Sequence, residues 1–120
     1  HALKKWREAD DNQRFGLIQL SSSVGDIHVP RIATYCSTKR FNLIFSRMIN
    51  DRVAKTNLPV DTLIVKPLSV STQMNDYATT FDACPTHTCT FGSLVEMGQH
   101  LETSGSLKHS FIFMMFDFIR

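Results

Sequence analysis

The chain has 120 residues, 42% of them hydrophobic and 20% charged, with a formal net charge of +2. That balance describes one folded domain and excludes a disordered segment, and a chain this long can bury roughly two-thirds of its unfolded surface. Thirteen Lys and Arg stand against eleven Asp and Glu, without a basic block or Arg-rich stripe, so nucleic acid is not expected as a partner.

In chain order, Ala2 to Ala9 carries helix-forming residues, with Leu3 and Trp6 three apart on one face, and the polar stretch Asp10 to Gln13 ends it. Phe15-Gly16-Leu17-Ile18-Gln19-Leu20, a short apolar run before three serines, predicts a buried strand. Ser21 to Pro30 is a loop broken by Gly25 and Pro30. From about Ala33 the period changes. Phe41, Ile44, Phe45, Met48 and Ile49 recur at three and four residues, which predicts a helix of about 18 residues with one broad apolar stripe. Asn57-Leu58-Pro59 stops it, and Val60 to Val65 predicts a second buried strand. Strand, helix, strand is a βαβ unit, so a parallel pair with a right-handed crossover is expected.

Beyond Pro67 the pattern is less regular. Met74 to Phe81 predicts a short helix, and Pro85 opens another with Phe91, Leu94 and Val95 on its apolar side and Gly98 at its end. Leu101 to Ser106 reads as a polar turn, and Phe111 to Ile119 as either helix or strand. The longest apolar run, Phe111 to Phe116, has six residues, against the roughly 20 that span a bilayer. No charged-then-apolar leader opens the sequence, which begins with His1 and reads as part of a longer polypeptide.

Cys36, Cys84 and Cys89 are too few and odd in number for a disulfide scaffold and favour a reducing, cytoplasmic setting. Cys84-Pro85-Thr86-His87-Thr88-Cys89 has the look of a metal clip. Four ligands would need His100 or His109 to fold back, and no metal is expected.

The informative stretch runs from Ser22 to Lys39. Ser22 follows the first predicted strand, where open α/β sheets place their ligand crevice. Tyr35 and Lys39 are one helical turn apart on one face. An ammonium beside a phenol favours phenolate and lowers a pKa that is about 10 when unperturbed. Such a tyrosine can pass a proton to a carbonyl oxygen, which the Ser22 hydroxyl can also hold. The three residue types suit carbonyl reduction with a hydride brought by a cofactor.

Ser22 followed by Tyr35-Cys36-Ser37-Thr38-Lys39 resembles the Ser…Tyr-x-x-x-Lys signature of the short-chain dehydrogenases/reductases. Gly16 to Ser22 is similar to that family's strand before the catalytic serine. Pro67-Leu68-Ser69-Val70-Ser71-Thr72 resembles its Pro-Gly-x-Val-x-Thr segment, with Leu68 in the glycine's place. Val29-Pro30, Arg40-Phe41, Phe45-Ser46-Arg47, Cys84-Pro85 and Thr103-Ser104-Gly105 followed by His109 are most similar to the very-long-chain 3-oxoacyl-CoA reductases and the 17β-hydroxysteroid dehydrogenases.

The resemblance implies an α/β fold, the carboxyl-terminal part of a Rossmann-like doubly wound parallel sheet, with residues 1–120 as one partial domain. It implies catalytic roles for Ser22, Tyr35 and Lys39. NADPH would be held by Tyr35, Lys39, Pro67, Val70 and Thr72, with Tyr35 as proton donor and Lys39 on the nicotinamide ribose. The implied substrate is a 3-oxoacyl-CoA or a steroid ketone, and the implied place the endoplasmic reticulum membrane, reached through regions outside this chain. The helix of Tyr35 and Lys39 and the one before it are implied to pair in a homodimer. The family's Gly-x-x-x-Gly-x-Gly turn has no counterpart among the five glycines, and its catalytic asparagine is expected upstream of His1. The chain is therefore read as the catalytic half of a reductase. Its strands would stand at an open sheet edge that a completing chain covers. The alternative is a non-catalytic remnant with a structural or assembly role.

Overall fold

The computed structural model describes residues 2–8, 10, 12–27 and 29–119, without the side chains of residue 3 and residues 116–119. The architecture is mixed α/β. Helix α1 (Ala2–Arg7) precedes strand β1 (Phe15–Leu20), which a single 3-10 turn (Ser23–Gly25) and a second one (Pro30–Ile32) connect to helix α2 (Ala33–Thr56). Strand β2 (Val60–Val65) follows, then β3 (Ser69–Ser71), β4 (Ala83–Pro85), helix α3 (Thr86–Glu96), the two-residue strand β5 (Glu102–Thr103) and helix α4 (Leu107–Ile119). Ala9, the last residue of the first predicted helix, lies outside the described residues, as does the Leu3 side chain that was to share a face with Trp6.

Strands β1, β2 and β5 form one sheet in that order, all parallel, with Phe15 opposite Val60 and Leu20 opposite Val65. The predicted strand–helix–strand unit is present with its parallel pair. Strands β3 and β4 form a second parallel pair, Ser69 opposite Ala83. Helix α2 ends as Asn57-Leu58-Pro59 dictates: Asn57 turns left-handed at φ 50°, and Pro59 cannot continue the ladder.

Side chains alternate across β2, and that strand is buried on both faces. On one, Gln19 reaches Asn50 of α2 at 3.3 Å. On the other, Leu63 and Val65 pack with Cys84 of β4 and Cys89 of α3, and Val70 and Met97 close over them. Leu43, Leu63 and Ile64 are fully buried.

Several expectations are corrected. Met74 to Phe81 is no helix. It holds one 3-10 turn (Gln73–Asn75), closed by a reciprocal cap between Thr72 and Asn75 and then reversed by Asp76 and Tyr77 at positive φ. The polar turn Leu101 to Ser106 contains β5, which borrows its order from β2 through backbone bonds such as Ile64 N to Leu101 O, 2.8 Å. Of the two alternatives open for Phe111 to Ile119, the structure has the helix, within α4. Helix α2 has 24 residues, longer than expected.

The largest correction concerns faces. The apolar stripe of α2 points outward: Phe41 is 67% exposed and Met48 65%. The buried face is Cys36, Leu43, Ser46, Asn50 and Val53, a mixture in which the small Cys36 and Ser46 and the polar Asn50 stand beside the apolar Leu43 and Val53. Helix α3 likewise exposes Phe91, Leu94 and Val95 and buries Cys89 and Ser93. Strand β1 is half-buried rather than buried, with Ile18 and Leu20 uncovered.

Candidate functional site

The loop after β1 is pressed against one turn of α2. Ser21 Oγ donates to the carbonyl of Lys39 at 2.8 Å, and Gly25 meets the same turn so closely that a Cβ there would sit 3.1 Å from Lys39 C and O. Small residues at 21 and 25 therefore set the approach. Ser22 lies between them, buried, at the carboxyl end of β1. Its Oγ donates to the carbonyl of Pro67 at 3.3 Å and accepts from Val24 N at 3.4 Å. Both bonds are long, so the hydroxyl is weakly committed to its local partners.

Tyr35 and Lys39 stand one turn apart near the start of α2, bordering the buried stripe that Cys36 begins. The Lys39 Nζ lies over the Tyr35 ring, 5.5 Å from its centroid, within the range of a cation–π contact. The Tyr35 ring is exposed and Lys39 half-buried. The structure thus brings Ser22, the Pro67 carbonyl and the Lys39 turn to one end of the sheet. Val70 and Thr72 lie further along the same connection. Val70 packs on the core cluster, and the Thr72 side chain accepts from Asn75 N in its cap.

A cavity of about 880 Å³ opens at the carboxyl ends of the strands, lined by Ser23, Ile27, Leu68, Thr103 and Phe113 among others. It adjoins the Ser22 loop and the Pro67 turn, although Ser22, Tyr35 and Lys39 do not line it. One wall is a ladder of charges. Arg40 pairs with Asp26 at 2.9 Å, Asp26 with Lys66 at 3.0 Å, Lys66 with Glu102 at 2.7 Å, and Glu102 with Arg47 through a two-pronged contact. Hydrogen bonding from Arg47 holds the Glu102 carboxyl down to about 2 against the pull of burial, with Lys66 assisting. Burial works against the Lys66 ammonium, but hydrogen bonds to Glu102 and Asp26 outweigh it and raise its pKa.

Sequence reading missed Ser21, Gly25 and this ladder. The signal for the first two was only their small size. Lys66 and Glu102 are 36 residues apart, a spacing no local pattern marks. Of the Cys84 to Cys89 segment, open to a metal reading or to that of a loop with two thiols, Cys84 and Cys89 are buried while His87 is exposed, and among the described residues no three His, Cys, Asp or Glu gather to hold a metal.

Comparisons with models of known protein families, with curated proteins and with solved structures find no match.

Proposed function

We propose that this chain is the catalytic part of an NADPH-dependent ketone reductase of the short-chain dehydrogenase/reductase type, acting on a 3-oxoacyl-CoA in fatty acid elongation or on a steroid. The observation that carries the reading is the packing of the Ser22 loop on the turn of α2 that bears Lys39, whose ammonium stands over Tyr35. The all-parallel order β1-β2-β5 supports the finer fold reading, the carboxyl-terminal part of a Rossmann-like doubly wound sheet.

NADPH, when bound, supplies the hydride. The residues present suit its nicotinamide end: an exposed phenol and a neighbouring ammonium on one face of α2, with Pro67, Val70 and Thr72 on the connection leaving β2. In the proposed reaction the carbonyl carbon receives the hydride and Tyr35 Oη gives its proton to the carbonyl oxygen, so the ketone becomes a secondary alcohol. Lys39 holds the nicotinamide ribose. Ser22 exchanges its long bond to Pro67 O for one to the substrate oxygen and orients it.

The exposed apolar face of α2 favours a second reading, a non-catalytic remnant serving as an assembly subunit. Under either reading a homodimer partner or a completing chain covers that face and the open edge of β1. Among the described residues no helix is long and apolar enough to cross a membrane. The family resemblance supports association with the endoplasmic reticulum membrane through regions outside this chain.

The native polypeptide decides between the two. Incubated with NADPH and a 3-oxoacyl-CoA or a keto-steroid, it is expected to oxidise one NADPH per hydroxyl product. Binding of NADPH without turnover of either ketone class contradicts the reductase, and failure to bind NADPH favours the assembly subunit.

A further inference from the structure

Between Leu68 and Asp82 the chain leaves the end of β2 and returns at the start of β4. This excursion carries Val70 and Thr72, and it exposes Met74, Tyr77 and Phe81. Asp76 and Tyr77, neither of them glycine, sit consecutively at φ 51° and 53°, so the excursion folds back on itself sharply. Its neck is closed in part by the short β3–β4 pairing.

A single imidazole meets both ends of the excursion. His109, in the first turns of α4, is fully buried at 0% exposure. Its Nε2 lies 3.0 Å from the carbonyl oxygen of Asp82, and its Nδ1 lies 3.4 Å from the amide nitrogen of Leu68. Nε2 has the shorter carbonyl contact, to Asp82, and Nδ1 faces both the Leu68 amide and the Ser104 carbonyl, so the proton is placed on Nε2, which donates to Asp82, while the Nδ1 lone pair accepts from Leu68 N–H. The other tautomer would turn Nδ1–H toward Ser104 O, 3.3 Å away. It would also set two lone pairs against each other at Asp82 and leave the Leu68 amide without its acceptor. One side chain thus satisfies both ends of the excursion. Lys108 adds a second tie from α4 to the same neck, its Nζ donating to Ala83 O at 2.9 Å.

We propose that His109 is a positioning residue that holds the Leu68–Asp82 excursion, and with it Val70 and Thr72, in the setting that receives the nicotinamide end of NADPH. The cofactor part of this proposal rests on the reductase reading above. Any buried imidazole needs partners for its two nitrogens; what marks this one is where they lie, at the two ends of the excursion. Here both are used, on backbone groups fourteen residues apart.

The test uses the full-length protein with His109→Ala and His109→Asn; the asparagine keeps an acceptor near Leu68 N–H and loses the donor to Asp82. Hydrogen exchange is followed at residues 68–85 and, as a reference, across α2. His109→Ala is expected to speed exchange at 68–85 by about tenfold or more, as the loss of buried hydrogen bonds implies, with α2 unchanged and His109→Asn in between. NADPH should bind about tenfold more weakly to His109→Ala, while the adenosine bisphosphate half of NADPH binds as to wild type. Should His109→Ala fail to fold, His109→Asn carries both comparisons. Unchanged exchange at 68–85, or acceleration spread equally over α2, overturns the anchor. Equal weakening of NADPH and its adenosine half overturns the positioning role. A wild-type protein that binds neither overturns the reductase reading and the cofactor part with it, and the exchange result still decides the anchor.

Discussion

At the scale of single residues, the site depends on what is small as much as on what is reactive. Gly25 is required by close approach: a methyl group there would press on Lys39 C and O at 3.1 Å and on Arg40 N at 3.2 Å, all backbone atoms that cannot swing aside. Gly25→Ala is therefore expected to destabilise the protein by about 1–3 kcal/mol, the usual cost of overpacking, measured by urea unfolding. A change below the error of that measurement would mean that the loop does not rest on the Lys39 turn. The core makes a sharper contrast. Leu63 is fully buried in the central strand, and Leu63→Ala should cost about 2–5 kcal/mol. Phe41, 67% exposed on the chain itself, should lose no more than ~0.5 kcal/mol when cut to alanine in the dissociated chain, and more where a partner covers the face. Equal losses at the two positions would show that the outer face of α2 is already covered in solution.

At the scale of elements, the ion ladder ties α2 to β2 and β5 and gives the fold a dependence on pH. The Glu102 carboxyl is held near 2, below its ordinary 4.5, chiefly by Arg47. A group whose folded pKa is depressed adds stability above its unfolded value and loses it as pH falls through the folded one. The Glu102 contribution, at most ~3 kcal/mol, is thus complete above about pH 4.5 and gone near pH 2. Urea unfolding across that window should show the slope in wild type and a shallower one in Glu102→Gln; matching slopes would remove Glu102 from the account. The sequence made elements legible where they were long and sharply ended. The bounds of β1 and β2 and the start and stop of α2 could be read from apolar runs, from Ala33 onward, and from Asn57-Leu58-Pro59. Strand β5, two residues long, has no pattern of its own and exists because β2 offers it backbone partners. The facing of α2 was inverted for a physical reason: Cys36, Ser46 and Asn50 are buried because close packing and a bond to Gln19 favour them, while hydrophobicity alone selects Phe41, Ile44, Phe45 and Met48. The spacing of Tyr35 and Lys39 was legible at once, since one helical turn joins them. The roles of Ser21, Gly25 and the two ends of the His109 clamp were not, because each partner lies many residues away.

For the whole molecule, the uncovered surfaces are the prominent feature. Phe41 and Phe45 stack with ring centroids 6.1 Å apart on the outside of α2, beside Ile44 and Met48. Ile18 and Leu20 leave one face of β1 bare, and the outer edge of that strand has no neighbour among the described residues. Apolar patches of this kind mark interfaces more often than free surface. Under the proposed pairing of α2 across a dimer, the full-length protein sediments as a dimer and the Phe41→Glu/Phe45→Glu variant as a monomer with its reductase site intact. A wild-type monomer would leave the face to a different chain. The proposed chemistry turns on the phenol of Tyr35. Its most direct test is the turnover of the full-length protein with NADPH and its ketone substrate, compared between wild type and Tyr35→Phe. A loss of about 10²–10⁴-fold in kcat is expected, the range of a positioned proton donor, with NADPH binding kept. Turnover at the wild-type rate in Tyr35→Phe would contradict that role.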